Sequence, residues 1–368
     1  MALPLPPGAR AGSGAWTEPG AYPVGAGIHR IPLPLPGDGL KAVNVYAVED
    51  GDRITVVDAG WHREDSWEQL RDGLRVLGAE PGDVGRVLVT HMHHDHFGQA
   101  ADLRRAGGGV VVLGEGERGS LESVIDPVER ERAEEWRRDR LVAYGAASLF
   151  QEVEEVRLGP AGAAMAAEGQ KALWELPDIF ATDGQVFELS DRSLEVVHTP
   201  GHTRGHIAFL DRTAGVLFAG DHVLPHITPS IGVEPFNSGL ALIDFIASLA
   251  RVRQLPAQRV LPAHGPDFEG LAERVDELLE HHAERLSACV DIVRRSWRTA
   301  FEVAQELPWT RRNRRYEELD LFNRVLALHE TAAHLELLAV QGTLARRERA
   351  DGILEFRLPV AETPEARQ

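Results

Sequence analysis

A second cysteine is missing from this chain of 368 residues: Cys289 stands alone, so no internal disulfide can form. Cys₄ and Cys₂His₂ zinc sites are excluded with it, and any metal must be held by histidine and carboxylate. Basic charge is scarce as well. Lysine and arginine number 39 against 57 aspartates and glutamates, a formal net charge of −18. A surface that acidic repels phosphate backbones and argues against extended nucleic-acid binding. No run of about 18 apolar residues occurs, so no bilayer-spanning helix is expected. The opening Met-Ala-Leu-Pro-Leu-Pro-Pro-Gly lacks a positive segment followed by an unbroken apolar one. A secretory signal is therefore not expected, and cytoplasmic residence is the default expectation. No internal repeat recurs at a period of roughly 20–50 residues. What remains is ordinary for a globular chain, with 43% hydrophobic and 26% charged residues. The length suits two domains, or one large domain with an appendage.

The Pro-, Gly- and Ala-rich residues 1–20 are expected to form a flexible tail. Short Val/Ile-rich segments at 28–35, 43–48 and 54–58, parted by Gly and Asp turns, predict a strand meander. Trp67, Leu70, Leu74 and Leu77 predict a surface helix. Residues 86–90 form a buried-strand pattern, 98–106 a helix and 109–113 another strand. From Ile125 to Phe150 the pattern is helical, with dense Glu/Arg pairs typical of an exposed face, and Gly/Ala-rich 159–170 follow; this stretch is a candidate lid. Strands are expected again at 186–189, 193–198, 206–210, 215–219 and 258–261, with a helix at 239–254. A domain boundary is placed near 268–272, dividing residues 21–270 from 271–368. Beyond it, helices are expected at 271–295, 299–307 and 317–341, and a hairpin turns at Ala350-Asp351-Gly352.

Histidine, in contrast to cysteine, is plentiful at 16 residues, and its placement carries the chemistry. The segment Thr90-His-Met-His-His-Asp-His96 follows a strand at once and crowds His91, His93, Asp95 and His96 into six positions. In an extended chain His91 and His93 point to one side. Three more candidates stand in glycine-bearing turns after strands: His202, Asp221 and His264.

The order H-x-H-x-D-H, G-H-T, G-D, A-H-G resembles the metallo-β-lactamase-fold hydrolase superfamily, in its glyoxalase II-like and LACTB2-like branches. The resemblance implies an α/β fold, a four-layer αβ/βα sandwich, over roughly residues 25–268. It implies that His91, His93 and His202 bind one metal, that Asp95, His96 and His264 bind another, and that Asp221 bridges them. Two Zn²⁺ fit this donor set best, with iron or manganese as alternatives. Two ions about 3.5–4 Å apart can share a hydroxide nucleophile. Asp95 is the candidate catalytic acceptor of its proton.

Around this set, Asp58 is a candidate partner for a ligand histidine, and His198 and His206, which flank the His202 turn, are expected either to support a ligand or to pack in the core. His222 or His226 is a candidate pocket residue. Tyr144 is expected on an exposed helix, and His281 and His282 at the surface. The C-terminal module resembles a winged helix, as LACTB2-like proteins carry. Yet residues 271–368 hold 15 arginines against 18 acids, a net of −3, and the expected recognition face bears Glu330, His334 and Glu336. Packing or homodimerisation suits it better than DNA.

The expected activity is hydrolysis of a thioester or ester of a small acyl substrate. A lactonase or a single-strand endoribonuclease uses the same ligands, and a winged-helix metabolite sensor is the non-enzymatic alternative. No glutathione-recognition signature is present.

Overall fold

The computed structural model describes residues 15–35, 39–159, 174–236, 240–310 and 312–359. Most of the expected tail and residues 160–170 of the candidate lid lie outside them.

The Val/Ile-rich segments pair as a meander because tight turns bring each strand back beside the last. β1 (Tyr22–Gly25), β2 (Ile28–Pro34), β3 (Ala42–Asp50) and β4 (Arg53–Val57) are antiparallel neighbours. After α1 (Glu64–Val76) the chain enters β5 (Val84–Leu88), parallel to β4. Two short helices, α2 (His94–Phe97) and α3 (Ala100–Gly107), lead to β6 (Val110–Gly114). Helices α4 (Arg118–Ile125), α5 (Pro127–Ala143) and α6 (Ala147–Leu158) precede β7 (Ile179–Ala181), which closes a seven-stranded sheet in sequential order.

The second sheet has six strands, in the order β13-β12-β11-β10-β9-β8. They are β8 (Val186–Glu188), β9 (Ser193–His198), β10 (Ile207–Asp211), β11 (Val216–Gly220), then β12 (Arg259–Pro262) and β13 (Phe268–Glu269). The crossover from β11 to the parallel β12 is α7 (Ala241–Val252). Beyond the sheets stand α8 (Leu271–Ile292), α9 (Ala300–Glu306), α10 (Leu321–Val340) and the hairpin β14 (Ala345–Glu348) with β15 (Leu354–Arg357).

Packing makes these elements four layers. Ile28, Val48, Val57, Leu88 and Val112 from the first sheet meet Leu194, Val196, Phe209 and Phe218 from the second. The outer face of the first sheet buries Leu70, Leu74 and Leu103 of α1 and α3. The outer face of the second buries Leu242, Phe245 and Leu249 of α7 with Leu271, Val275 and Leu278 of α8. This is the expected αβ/βα sandwich. The near-continuous burial along β3, β10 and β11 follows from their being covered on both faces.

Three expectations about the helices are corrected. The Glu/Arg-rich stretch forms α5 and α6, and the charged face of α5 is exposed as expected, but Leu141, Tyr144, Ala146 and Leu149 sink into a cluster with Cys289, Val303, Leu328, Leu335 and Phe356. Tyr144 is accordingly buried, 4% exposed, and meets His329 edge-on. His282 is buried rather than at the surface, and its ring lies on that of His334. The helix α10, expected to present a recognition face, is buried through Ala327–Leu338 save Glu330, including His334 and Glu336. Three helices and a hairpin do form, but the long helix is a core element. Among the described residues no helix is long and apolar enough to cross a membrane.

Candidate metal centre

Five turns that follow strands supply the site. Asp58 follows β4, residues 90–96 follow β5, the 199–206 turn follows β9, Asp221 follows β11 and His264 follows β12. Backbone hydrogen bonds fasten these turns to one another: Asp58 N–H to Leu88 O at 2.9 Å, Ile207 N–H to Thr90 O at 2.9 Å, and Ala263 N–H to Gly220 O at 3.0 Å. The Ile207–Thr90 bond ties one sheet to the other beside the site. Gly220 has a local reason to be glycine. Its φ is +51°, and a Cβ there would stand 2.6 Å from His206 Nε2 and 2.8 Å from Thr90 Cβ.

All seven expected residues come together. His91 Nε2 lies 3.0 Å from His93 Nδ1, which lies 3.1 Å from His202 Nε2. His264 Nε2 lies 3.3 Å from both Asp95 Oδ2 and Asp221 Oδ1. His96 Nε2 lies 3.5 Å from Asp95 and 3.7 Å from Asp221. The second oxygen of Asp221 faces the other way, 3.5 Å from His202 Nε2. Three sets of three ligand atoms close enough to hold an ion result: His91, His93 and His202; His91, His96 and Asp221; Asp95, His96 and His264.

Partners outside the cluster orient the rings. His96 Nδ1 donates to Asp58 at 2.8 Å, His264 Nδ1 to Ala42 O at 2.8 Å, and His202 Nδ1 to Ser230 O at 2.7 Å. Each bond fixes the ring's orientation and aims Nε2 inward, as the nitrogen that a cation would take. Asp58 thus takes the supporting position that the sequence left open. It also accepts from the Thr90 backbone N–H at 2.8 Å. His206 supports from beneath: its Nδ1 meets Thr199 Oγ1 at 2.7 Å, and its Nε2 accepts the Asp221 N–H at 3.1 Å. His198 Nε2 donates to Arg204 O at 2.9 Å, bracing the same turn. His222 is buried beside Phe245, and His226 is exposed.

The two halves differ in charge. Burial and the neighbouring imidazoles push His91 far down and His93 to about 3. Burial opposes protonation of His96 too, but the carboxylates of Asp95, Asp58 and Asp221 outweigh it and hold that ring at about 9. Asp221 and Asp95 likewise raise His264 well above its ordinary value. The nearby imidazoles overcome burial and keep both carboxyls ionised. A carboxylate-rich half therefore stands beside an imidazole-only half.

The fit to a cation rests on three atoms. His96 Nε2, His264 Nε2 and Asp221 Oδ1 are buried, face one another, and have no hydrogen-bond partner. Buried polar atoms are ordinarily satisfied, and orphaned ones cost about 1–3 kcal/mol each. A converging nitrogen–oxygen donor set of this kind is what a divalent cation completes, displacing the protons that the carboxylates otherwise hold on His96 and His264.

Four residues that support the site escaped the sequence. Glu117 is fully buried under the His202 turn and accepts the Thr203 hydroxyl. Burial and the nearby Glu234 raise its carboxyl to about 8. Glu234 accepts the Arg204 N–H at 2.7 Å, while Ser230 acts only through its carbonyl. Arg204 had a signal, its place within Gly-His-Thr-Arg-Gly; a carbonyl has none.

Comparison with known proteins agrees with this architecture. Residues 38–280 match the model of the metallo-beta-lactamase superfamily, and residues 286–359 that of a metallo-beta-lactamase-like C-terminal domain. The chain belongs to the metallo-β-lactamase superfamily. It is 27% identical to the lactamase-like protein aptB of Emericella nidulans over 70% of this chain and 62% of that one. A beta-lactamase-like protein 2 homolog of Drosophila melanogaster is 25% identical over 67% of this chain and 66% of its own length. The chain thus spans less than two thirds of either relative. The acyl-coenzyme A thioesterase MBLAC2 of Gallus gallus is 28% identical over 77% of this chain and 94% of its own. Among solved structures, a metallo-beta-lactamase family protein from Thermus thermophilus superposes with a TM-score of 0.73. It is 27% identical and is matched over 90% of this chain and 99% of that one.

Proposed function

We propose that the protein is a dinuclear metal-dependent hydrolase acting on a thioester or ester of a small acyl group. The hydrolase half is residues 21–270, and residues 271–368 form its C-terminal module. The observation that carries this reading is Asp221, whose two oxygens face two different ligand groups while Oδ1 lacks any hydrogen-bond partner. His91, His93 and His202 would hold one ion and Asp95, His96 and His264 the other. Zinc suits imidazole nitrogen and carboxylate oxygen best. When bound, such a pair supplies Lewis acidity and a water acidified to near neutrality.

The chain's own residues do the rest. Asp221 spans the two halves and sets their spacing. Ser230 O, Asp58 and Ala42 O accept from Nδ1 of His202, His96 and His264 and so aim each Nε2 inward. Asp95, ionised and reached by His264 Nε2 at 3.3 Å, can take a proton at Oδ2. The thioester preference is supported by the MBLAC2 relative, whose name states acyl-coenzyme A thioesterase activity and whose length the chain nearly spans. The burial of α10 over Ala327–Leu338 argues against the winged-helix regulator, since that stretch has no free face to lay on a phosphate backbone.

Zinc-loaded protein is expected to hydrolyse a generic acyl thioester, followed as free thiol. Asp221→Ala should bring the rate to background. Full turnover after both metals have been stripped would refute the reading.

A further inference from the structure

His202 depends on a support unlike those of its neighbours. His96 leans on Asp58 and His264 on Ala42 O, both set by strands of the first sheet. His202 leans on Ser230 O, in a segment that belongs to no strand or helix. Whatever places residue 230 therefore places His202.

Residues 230–234 are pinned at successive positions. Ile231 is fully buried in the apolar cluster that includes Ala333 and Leu337 of α10. Gly232 has φ +84° and lies directly under α10. A Cβ there would stand 3.3 Å from the His329 carbonyl oxygen and 3.6 Å from Ala333 Cβ. His329, whose carbonyl is the nearest atom to that position, is buried over the segment with its ring edge-on to Tyr144. Glu234 takes the Arg204 N–H at 2.7 Å and the Ser120 hydroxyl, tying the segment back to the turn that carries His202. One end of the segment thus holds the metal-site turn, and its middle is seated on the C-terminal helix.

We propose that α10 positions His202 through residues 230–234, with Gly232 and His329 as positioning residues. The C-terminal module is then a working part of the metal centre. The proposal rests on His202 being a ligand, as put forward above.

The test uses the full-length protein and zinc alone. Affinities of both zinc equivalents are measured by competition with a chromophoric chelator. The variants are Gly232→Ala, His329→Ala, His329→Gln and a control, Val303→Ala. Val303 is buried in the other C-terminal cluster, with Leu344 and Phe356, and its truncation lowers stability without touching the segment. Loss of a partner that orients a ligand typically costs about 10–100-fold in metal affinity. Gly232→Ala and His329→Ala should lose that much at one equivalent and leave the other unchanged. His329→Gln, which fills more of the same space than alanine, should fall between, and it carries the test with Gly232→Ala if His329→Ala does not fold. Val303→Ala should melt earlier and keep both affinities. Folded segment variants with two wild-type affinities would overturn the proposal, as would a control that loses zinc equally. Wild-type protein that binds no zinc would instead sink the metallohydrolase reading itself.

Discussion

Asp58 shows how one side chain is selected by several demands together. Its φ is +62°, a conformation that Asp and Asn reach more easily than most residues. From there its carboxylate accepts the Thr90 N–H at 2.8 Å, the Thr90 hydroxyl at 3.0 Å and His96 Nδ1 at 2.8 Å. Asp58→Asn keeps the backbone conformation and one acceptor oxygen, which Thr90 can use. It then turns an NH₂ toward His96 Nδ1, so the ring must change tautomer and lose the inward lone pair at Nε2. The variant should fold normally by circular dichroism and bind zinc about 10–100-fold more weakly at one site. Unchanged affinity would show that His96 does not need this acceptor. The same residue marks how far sequence reading reaches. His91 to His96 were legible because four potential ligands in six positions after a strand have few other uses. Asp58 was an even choice, since a buried acceptor and a turn aspartate look alike before folding. Ser230 was invisible, because it contributes only a backbone carbonyl.

Helix α10 shows the same division between elements. Its existence was legible, and the Asp320 side chain caps it by accepting the Asn323 N–H. Its surroundings were not. One side packs Leu328, Leu335 and Leu338 against α6 and α9; the other packs Ala333 and Leu337 against α7 and α8. Burial on two sides needs neighbours from distant parts of the chain, which periodicity alone does not disclose. A helix apolar nearly all round is the trace that such burial leaves. It also encloses titratable rings. His282 Nδ1 lies 3.1 Å from His334 Nε2, with Arg285, His281 and Glu330 about them. Burial foremost lowers His334 to about 4 and His282 to about 2. An unfolded histidine titrates near pH 6.5 (about the reference value), so below that the unfolded chain binds more protons. Stability from this pair is present above about pH 6.5 and is lost as pH falls toward 4. The melting temperature should therefore drop between pH 7.5 and 5, and less steeply in His282→Gln. Parallel slopes by calorimetry would mean that the pair does not carry the acid sensitivity.

At the scale of the molecule, the seven candidate ligands come from both sheets. His91, His93, Asp95 and His96 extend the first; His202, Asp221 and His264 extend the second. Each sheet has its own outer helices and its own apolar cluster, so the two share the Ile28–Phe218 interior and the rim at the metal site. A cation held by His91, His93 and His202 would then cross-link the halves at that rim, and Asp221 would join the two ions. Any ligand that binds only the folded state adds stability by mass action, about 2.7 kcal/mol at a free concentration 100 times its Kd. In a chain of this size that is a rise of a few degrees in melting temperature. Zinc should raise the midpoint of the wild-type protein, and a chelator should return it to the metal-free value. Asp221→Ala keeps both sheets and most ligands but loses the shared carboxylate, so its zinc-dependent rise should be clearly smaller. An equal rise in the variant would mean that Asp221 is not shared by the ions, and that the other six side chains, drawn from both sheets, hold them without it.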